Sequence, residues 1–581
     1  MKYTNLLTRS VFIILLFSVS FFACERNKRH YKMLEGKGSI TLGGIFRWNE
    51  TEFIRSLFPH NITEVTGHRC SNQIYEGLLM MSQKDLSIRP CIAKNYEIDE
   101  SATVYTFHLR SNVFFHNDAC FANGKGRVVT AHDFKYCFDL LCTKSPMNKG
   151  FWVFENRVVG ANTYHELSIN NKDLPTEGVS GIVAVNDSTL QIRLEQPFAA
   201  FVYILATPFT AVFPKEALLL YGKEMRMKTV GTGPFILKSV IEDEVVILSK
   251  NTHYWDSDSL GNKLPYLDGI RISFIKEAQA ELLEFKRGNL DQVYRPALEM
   301  MEEIYDENGA LQNEYSGFVS QHKPSLSLQY YGFLNCSPLF ANTDLRKAFC
   351  YAIDREKLCR YTLKGTGMPA KYGVVPPGCG AYKSENITGF SYDPVLAKQY
   401  LASAGYPDGK GLQPLVLQIN AGGGRNQQVA EAVTKMLRDN LNISVEITQL
   451  PWAQHLENAE TGKVLFWRFG WVADYPDPEN FLNLFYGPHV PVKINDNSYI
   501  NTVRHKSKAF DVLFKKALAT TNDTARLKLY NQADSIVIND APLLPIYYDV
   551  EYRLLQNYIV NYPKNSMEFR LLRDVWFDYK N

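Results

Sequence analysis

The stretch best suited by residue type to grip a phosphate is Gly422-Gly423-Gly424-Arg425, because unpaired amides at a helix start attract anions. Spacing argues against that use: neither GxxxxGK[ST] nor GxGxxG is met, and the glycines read as a tight strand-to-helix turn. Hydrolytic chemistry has no local signature either, since the chain holds no GxSxG nucleophile elbow and no HExxH pair, and its 12 histidines are dispersed. Beyond residue 24, cysteines stand at 70, 91, 120, 137, 142, 336, 350, 359 and 379 without a CxxC pair, which removes zinc-ribbon and thioredoxin-like readings. Their odd number leaves at least one thiol free, and Cys137, Cys350 and Cys359 fall in apolar helical patterns, as small core residues do. No catalytic residue, metal ligand or cofactor is expected.

The elements around these residues alternate in type. Val104 to Arg110 alternates apolar and polar residues, the period of a strand with one buried face. Asn117 to Gly126 reads as a loop, and Thr130 then caps a helix carrying Phe134, Cys137 and Leu140, with Asp133 in its first turn. Farther on, Asp393-Pro394 opens a helix that Gly405 and Pro407 close. Leu415 to Ile419 reads as a strand, Val429 to Leu441 as a helix and Ser444 to Ile447 as a second strand, a β-α-β unit whose strands must run parallel. Asp354-Arg355 reads as an ion pair on a helix surface. No fixed-period repeat occurs.

With 581 residues the chain exceeds what one hydrophobic core supports, so two large bodies or three domains are expected. A formal net charge of +2 supplies no field for attracting nucleic acid, which is set aside as a partner. Aromatic residues make up 13% of the chain; they suit well-filled cores or a wide pocket that must accept varied side chains.

The first 24 residues have a short basic start (Lys2, Arg9) and an apolar run from Val11 to Phe17, too short to span a bilayer, which marks a secretory signal. Its end, Phe21-Phe22-Ala23-Cys24, resembles a bacterial lipobox, although Phe21 and Phe22 depart from the usual Leu and small residue. The resemblance implies acylation at Cys24, with Glu25 to His30 as a polar leash.

Several blocks, in order, resemble the extracytoplasmic solute-binding proteins that include the dipeptide- and oligopeptide-binding components of ABC importers. They are Ile74 to Leu79, Arg89 to Lys94, Tyr105 to Arg110, Val113 to His116, Thr130 to Phe134, Gly231 to Phe235, Asn251 to Trp255, Asp344 to Ala348, Ala352 to Glu356, Tyr392 to Pro394, and Trp471 to Pro478. The resemblance implies an α/β fold of two lobes closing on ligand like a flytrap, with an additional small subdomain. The division it implies is a signal peptide at 1–23, a lipidated tether at 24–35, lobe I at 36–275 plus 541–581 with a subdomain at about 70–205, and lobe II at 276–540. By match to the peptide-binding members, Asp474 pairs with a peptide's α-ammonium and Trp471 walls the pocket, with Val472, Ala473 and Tyr475 beside them. Arg468 coincides with an Arg that receives the α-carboxylate. The function implied is capture of small peptides for an ABC permease by a monomeric, membrane-anchored lipoprotein of the periplasm or cell envelope. Rival readings keep the fold but change the cargo to a metal chelate, haem, glutathione or oligosaccharide, or make the chain a peptide-sensing receptor without import.

Overall fold

The computed structural model describes residues 33–579 except 63, 170–173, 307–308, 422–423, 499 and 568–569. The signal, Cys24 and the first two glycines of the Gly-rich turn lie outside the described residues. Leu34–Glu35 already pairs with Thr41–Leu42, so regular structure begins within the stretch read as a tether.

Strand β1 (Ile45–Asn49) opens the first body. The next elements form a sheet of β2 (Ala93–Ile98), β3 (Val104–Leu109), β4 (Ile182–Asn186) and β5 (Thr189–Arg193) in the order β2-β3-β5-β4. The alternation read at Val104 is real: Tyr105, Phe107 and Leu109 are buried while the residues between them are half-exposed. Helix α1 (Ala131–Leu141) begins at Thr130 with a capping box, in which the Asp133 carboxylate accepts from the Thr130 amide at 2.8 Å. Strands β6 (Phe235–Ile241), β7 (Val245–Lys250) and β8 (Gly269–Ser273) then return to β1, which pairs parallel with β8.

The rest of the chain builds one large sheet from β9 (Gln292–Tyr294), β10 (Phe318–Phe333), β11 (Gly367–Pro369), β12 (Leu415–Asn420), β13 (Val445–Leu450), β14 (Phe466–Val472) and β15 (Leu543–Gln556), ordered β9-β15-β10-β14-β12-β13 with β11 on β15. Its helices are α2 (Thr343–Tyr351), α3 (Pro394–Ser403), α4 (Gly424–Leu441), α5 (Trp452–Glu460), α6 (Lys508–Leu518) and α7 (Asp523–Asp540). Asp393 caps α3 by accepting from the Leu396 amide at 2.9 Å, and β12 pairs parallel with β13 as a β-α-β unit requires.

Apolar side chains gather in two large cores, one drawn mainly from residues 46–272 and 555–577, the other mainly from 326–548. A third, smaller core joins residues 282–315 to Tyr552 and Leu554, so the beginning of the stretch read as lobe II packs by itself. Strand β15 threads all three: Leu543 to Tyr548 lie in the second, Tyr552 and Leu554 in the third, Leu555 in the first. Its partner β10 runs beside it, with pairing that slips between Pro324 and Leu328.

Arg355 corrects the surface ion pair read at Asp354-Arg355. Asp354 caps a short helix through the Lys357 amide, whereas Arg355 is 3% exposed and donates to the carbonyls of Pro545 (2.7 Å) and Cys350 (3.0 Å). Burying the guanidinium requires acceptors, and main-chain carbonyls of α2 and β15 supply them.

Candidate ligand-binding site

Strand β14, between β10 and β12 in the large sheet, carries the residues predicted for the site and pairs along its length with β10 from Phe333↔Phe466 to Ser327↔Val472. Alternation on a strand sets Arg468 and Val472 on one face and Phe469 and Trp471 on the other. The chain then leaves the sheet through Ala473, whose amide donates to the Leu326 carbonyl at 2.8 Å, and enters the Pro-rich turn Asp474 to Pro478.

Asn480 organises this turn. Its side-chain oxygen accepts from Trp471 Nε1 at 2.9 Å and from the Asp474 amide at 3.2 Å, while its nitrogen donates to Asp474 Oδ2 at 3.4 Å. Asp474 is exposed, and desolvation by the neighbouring chain pushes its pKa up to about 6, against the Asn480 hydrogen bond and Arg157.

The remaining predicted residues divide. Trp471 is half-buried, Val472 is exposed, and Ala473 is buried. Tyr475 is 1% exposed, hydrogen-bonded to Glu479, and packs into the core of the first body, so it serves the junction between bodies. Arg468 is half-buried; its guanidinium donates to Asn420 Oδ1 at 3.1 Å and to Gln329 Oε1, both neutral, and no carboxylate pairs with it among the described residues. Its carbonyl accepts from His455 Nε2 at 2.9 Å, which pins that part of β14.

Sequence reading missed Asn480 and Arg157. Asn480 lies six residues past Asp474 and could have been suspected as a turn-closing amide. Arg157 sits in the first body, far away in sequence, and carries no local signal. Among the described residues, no group of three or more His, Cys, Asp or Glu side chains could hold a metal ion, and all nine cysteines are free thiols.

A family model described as "Bacterial extracellular solute-binding proteins, family 5 Middle" matches residues 87–490. The chain is 27% identical over 540 residues to heme-binding protein A of Haemophilus influenzae, covering 90% of each. It is 27% identical over 539 residues to the periplasmic oligopeptide-binding protein OppA of Escherichia coli, covering 91% of each. Among solved structures, the periplasmic binding protein DppA of Helicobacter pylori in complex with peptide STSA superposes with a TM-score of 0.71 at 23% identity, over 92% of this chain and 98% of that one. The two-lobed α/β periplasmic-binding-protein fold read from the sequence blocks is thereby shown.

Proposed function

The chain belongs to family 5 of the bacterial extracellular solute-binding proteins, non-enzymatic binders that serve ABC import, and from that premise we propose that its cargo is a small peptide. The observation that carries this reading is Asp474: a carboxylate with one long hydrogen bond, desolvated by its surroundings yet reachable from solvent. Such a group gains most from a cation that brings its own donors, as an α-ammonium does.

Arg468 supports the same cargo from the other end, since among the described residues its guanidinium donates to neutral oxygens and a peptide carboxylate would neutralise it bidentately. Arg468 and Asp474 are six residues apart, so the chain between them spans at most ~20 Å, which fits peptides of up to about six residues held at both ends. Main-chain hydrogen bonds between those ends would give affinity without demanding particular side chains. The two bodies, joined by β10 and β15, close over the cargo as rigid halves, and the closed form is the one presented to the permease. Acylation at Cys24 would tether the protein to the membrane of the cell envelope.

Native mass spectrometry of the purified protein, followed by calorimetry with trialanine, N-acetyl-trialanine, glutathione and haem at pH 7.5, tests this reading. Trialanine is expected to bind and its N-acetylated form to lose most of that affinity. Tight binding of haem or glutathione without measurable trialanine binding would replace the cargo while leaving the family role intact.

A further inference from the structure

We infer that the seam between the first and third cores holds a binding site for a small oxyanion, a carboxylate or a phosphate, with the Arg553 guanidinium as its cation. Its residues are distinct from those carried by β14, and it stands whether or not the cargo is a peptide.

Strand pairing assembles the site. Tyr294, at the end of β9, stands directly opposite Arg553 on β15, so the two side chains share a face. The Arg553 guanidinium lies over the Tyr294 ring at 4.8 Å and over the Tyr562 ring at 4.9 Å, contacts that supply no hydrogen-bond acceptor for its N–H donors. Arg69 and Arg295 approach the same Tyr294 ring, at 4.4 and 5.4 Å, so three guanidiniums crowd one side chain.

Carboxylates answer the neighbouring arginines but not Arg553. Arg69 donates to both oxygens of Glu50 at 3.0 Å, while Arg570 and Arg295 share Glu551 at 3.1 and 3.6 Å. Arg553 is 7% exposed and has no hydrogen bond or ion pair among the described residues, and its Nε is buried without a partner. A desolvated cation without acceptors costs free energy, and like charges beside it add to the cost. A bound anion would offset both.

A recess opens beside the guanidinium. Arg553 lines it together with Trp48 and Glu50 of the first body, Arg69, Gln292 and Arg570. Trp48, 4% exposed, leaves its Nε1–H without an acceptor, and Gln292, 7% exposed, has an unpaired side-chain oxygen. Buried polar groups are ordinarily paired, so three unpartnered ones around one recess call for a ligand with several acceptors, and turning the Gln292 amide would add a further donor. The room is about 20 Å³, enough for one or two water-sized groups, which suits the head of an oxyanion and not a whole amino acid. Glu50 is acidic but has both oxygens committed to Arg69, so the charge left facing the recess is positive.

Inorganic phosphate and acetate, with acetamide as the neutral control and sodium chloride holding ionic strength constant, are titrated into the full chain while its melting temperature is followed. A saturable rise with either anion and none with acetamide is expected, because a ligand that binds only the folded protein stabilises it. Arg553→Met should raise the half-saturating concentration by at least about tenfold, as loss of charge-assisted hydrogen bonds does, and Trp48→Phe, which removes one neutral donor, by about fivefold. If Arg553→Met does not fold, Trp48→Phe and the acetamide control decide. Two tripeptides separate the sources of the anion: a cargo that carries it makes Ala-Glu-Ala bind more tightly than Ala-Gln-Ala, a preference that Arg553→Met removes, whereas a free ion leaves the two alike. A native protein that responds to neither anion and shows no preference for the Glu peptide, or an unchanged response in Arg553→Met, would overturn the inference. Peptides that fail to bind at all would end the peptide reading and leave the phosphate and acetate titrations to decide this one.

Discussion

Two aspartates of the second body share a raised pKa and a common cause but differ in their hydrogen-bond partners. Burial raises Asp534 and Asp474 alike to about 6. Asp534, fully buried, accepts from the amides of Val374 (2.8 Å) and Val375 (3.4 Å) and from the Tyr382 hydroxyl (2.9 Å). Gly373 lies against it so closely that a Cβ there would come within 2.0 Å of Oδ2. Asp474 has one donor at 3.4 Å and open surface. A strut and the carboxylate proposed to meet the cargo therefore share a shift, and what separates them is the count of donors already in place.

The largest expected effect breaks the pair apart. Asp474→Ala should weaken trialanine binding by about 2–5 kcal/mol, as loss of a charge partner enclosed at an interface does, and leave ligand-free melting nearly unchanged. Asp534→Ala should do the reverse: stability to urea falls by about 3 kcal/mol, roughly one for each donor left unpaired in the core, and affinity survives. Isothermal calorimetry and urea titration on both variants give a two-by-two result, and a stability loss at Asp474 matching that at Asp534 would show the site to be a second strut.

Acid sharpens the same contrast. Asp474 binds an ammonium only when ionised, so trialanine affinity should fall by roughly tenfold per unit as pH drops below about 6. Asp534 has a raised folded-state pKa, which means its ionised form costs the native state. Measured against Asp534→Asn, the native protein should gain stability as pH falls from 7 toward 4, a contribution full below the ordinary 3.8 and lost as pH rises through about 6. Urea midpoints from pH 4 to 8 check the sign. Acidification thus weakens the site and strengthens the strut.

Much of the local scaffold was legible because its signals are local. The alternation at Tyr105, Phe107 and Leu109, the capping box at Thr130, the cap at Asp393 and the β12-α4-β13 unit each depend on residues a few positions apart. The pairing of β10 with β15 joins residues more than 200 apart, and the surroundings of Arg355 follow from it: its acceptor at Pro545 lies 190 positions away. An Asp-Arg pair at a helix start reads as surface until β15 is laid across it. The site divides in the same way. Arg468, Trp471 and Asp474 came from one short block of sequence, whereas Asn480, whose side chain ties Trp471 to Asp474, lies past the end of that block and carries no motif.

The smallest effect tests the donor count itself. Tyr382→Phe removes one of the three donors to Asp534 and nothing else of size, so the cost should be about 1 kcal/mol in urea at pH 8. The hydroxyl stabilises the ionised carboxylate more than the neutral one, so its removal should raise the Asp534 pKa further and shrink the cost toward pH 4. Trialanine affinity should not move, since Tyr382 is 3% exposed and its hydroxyl is committed to Asp534. A loss that stayed constant with pH would mean that the hydroxyl matters as packing alone, and the count of donors would cease to explain why Asp534 is a strut.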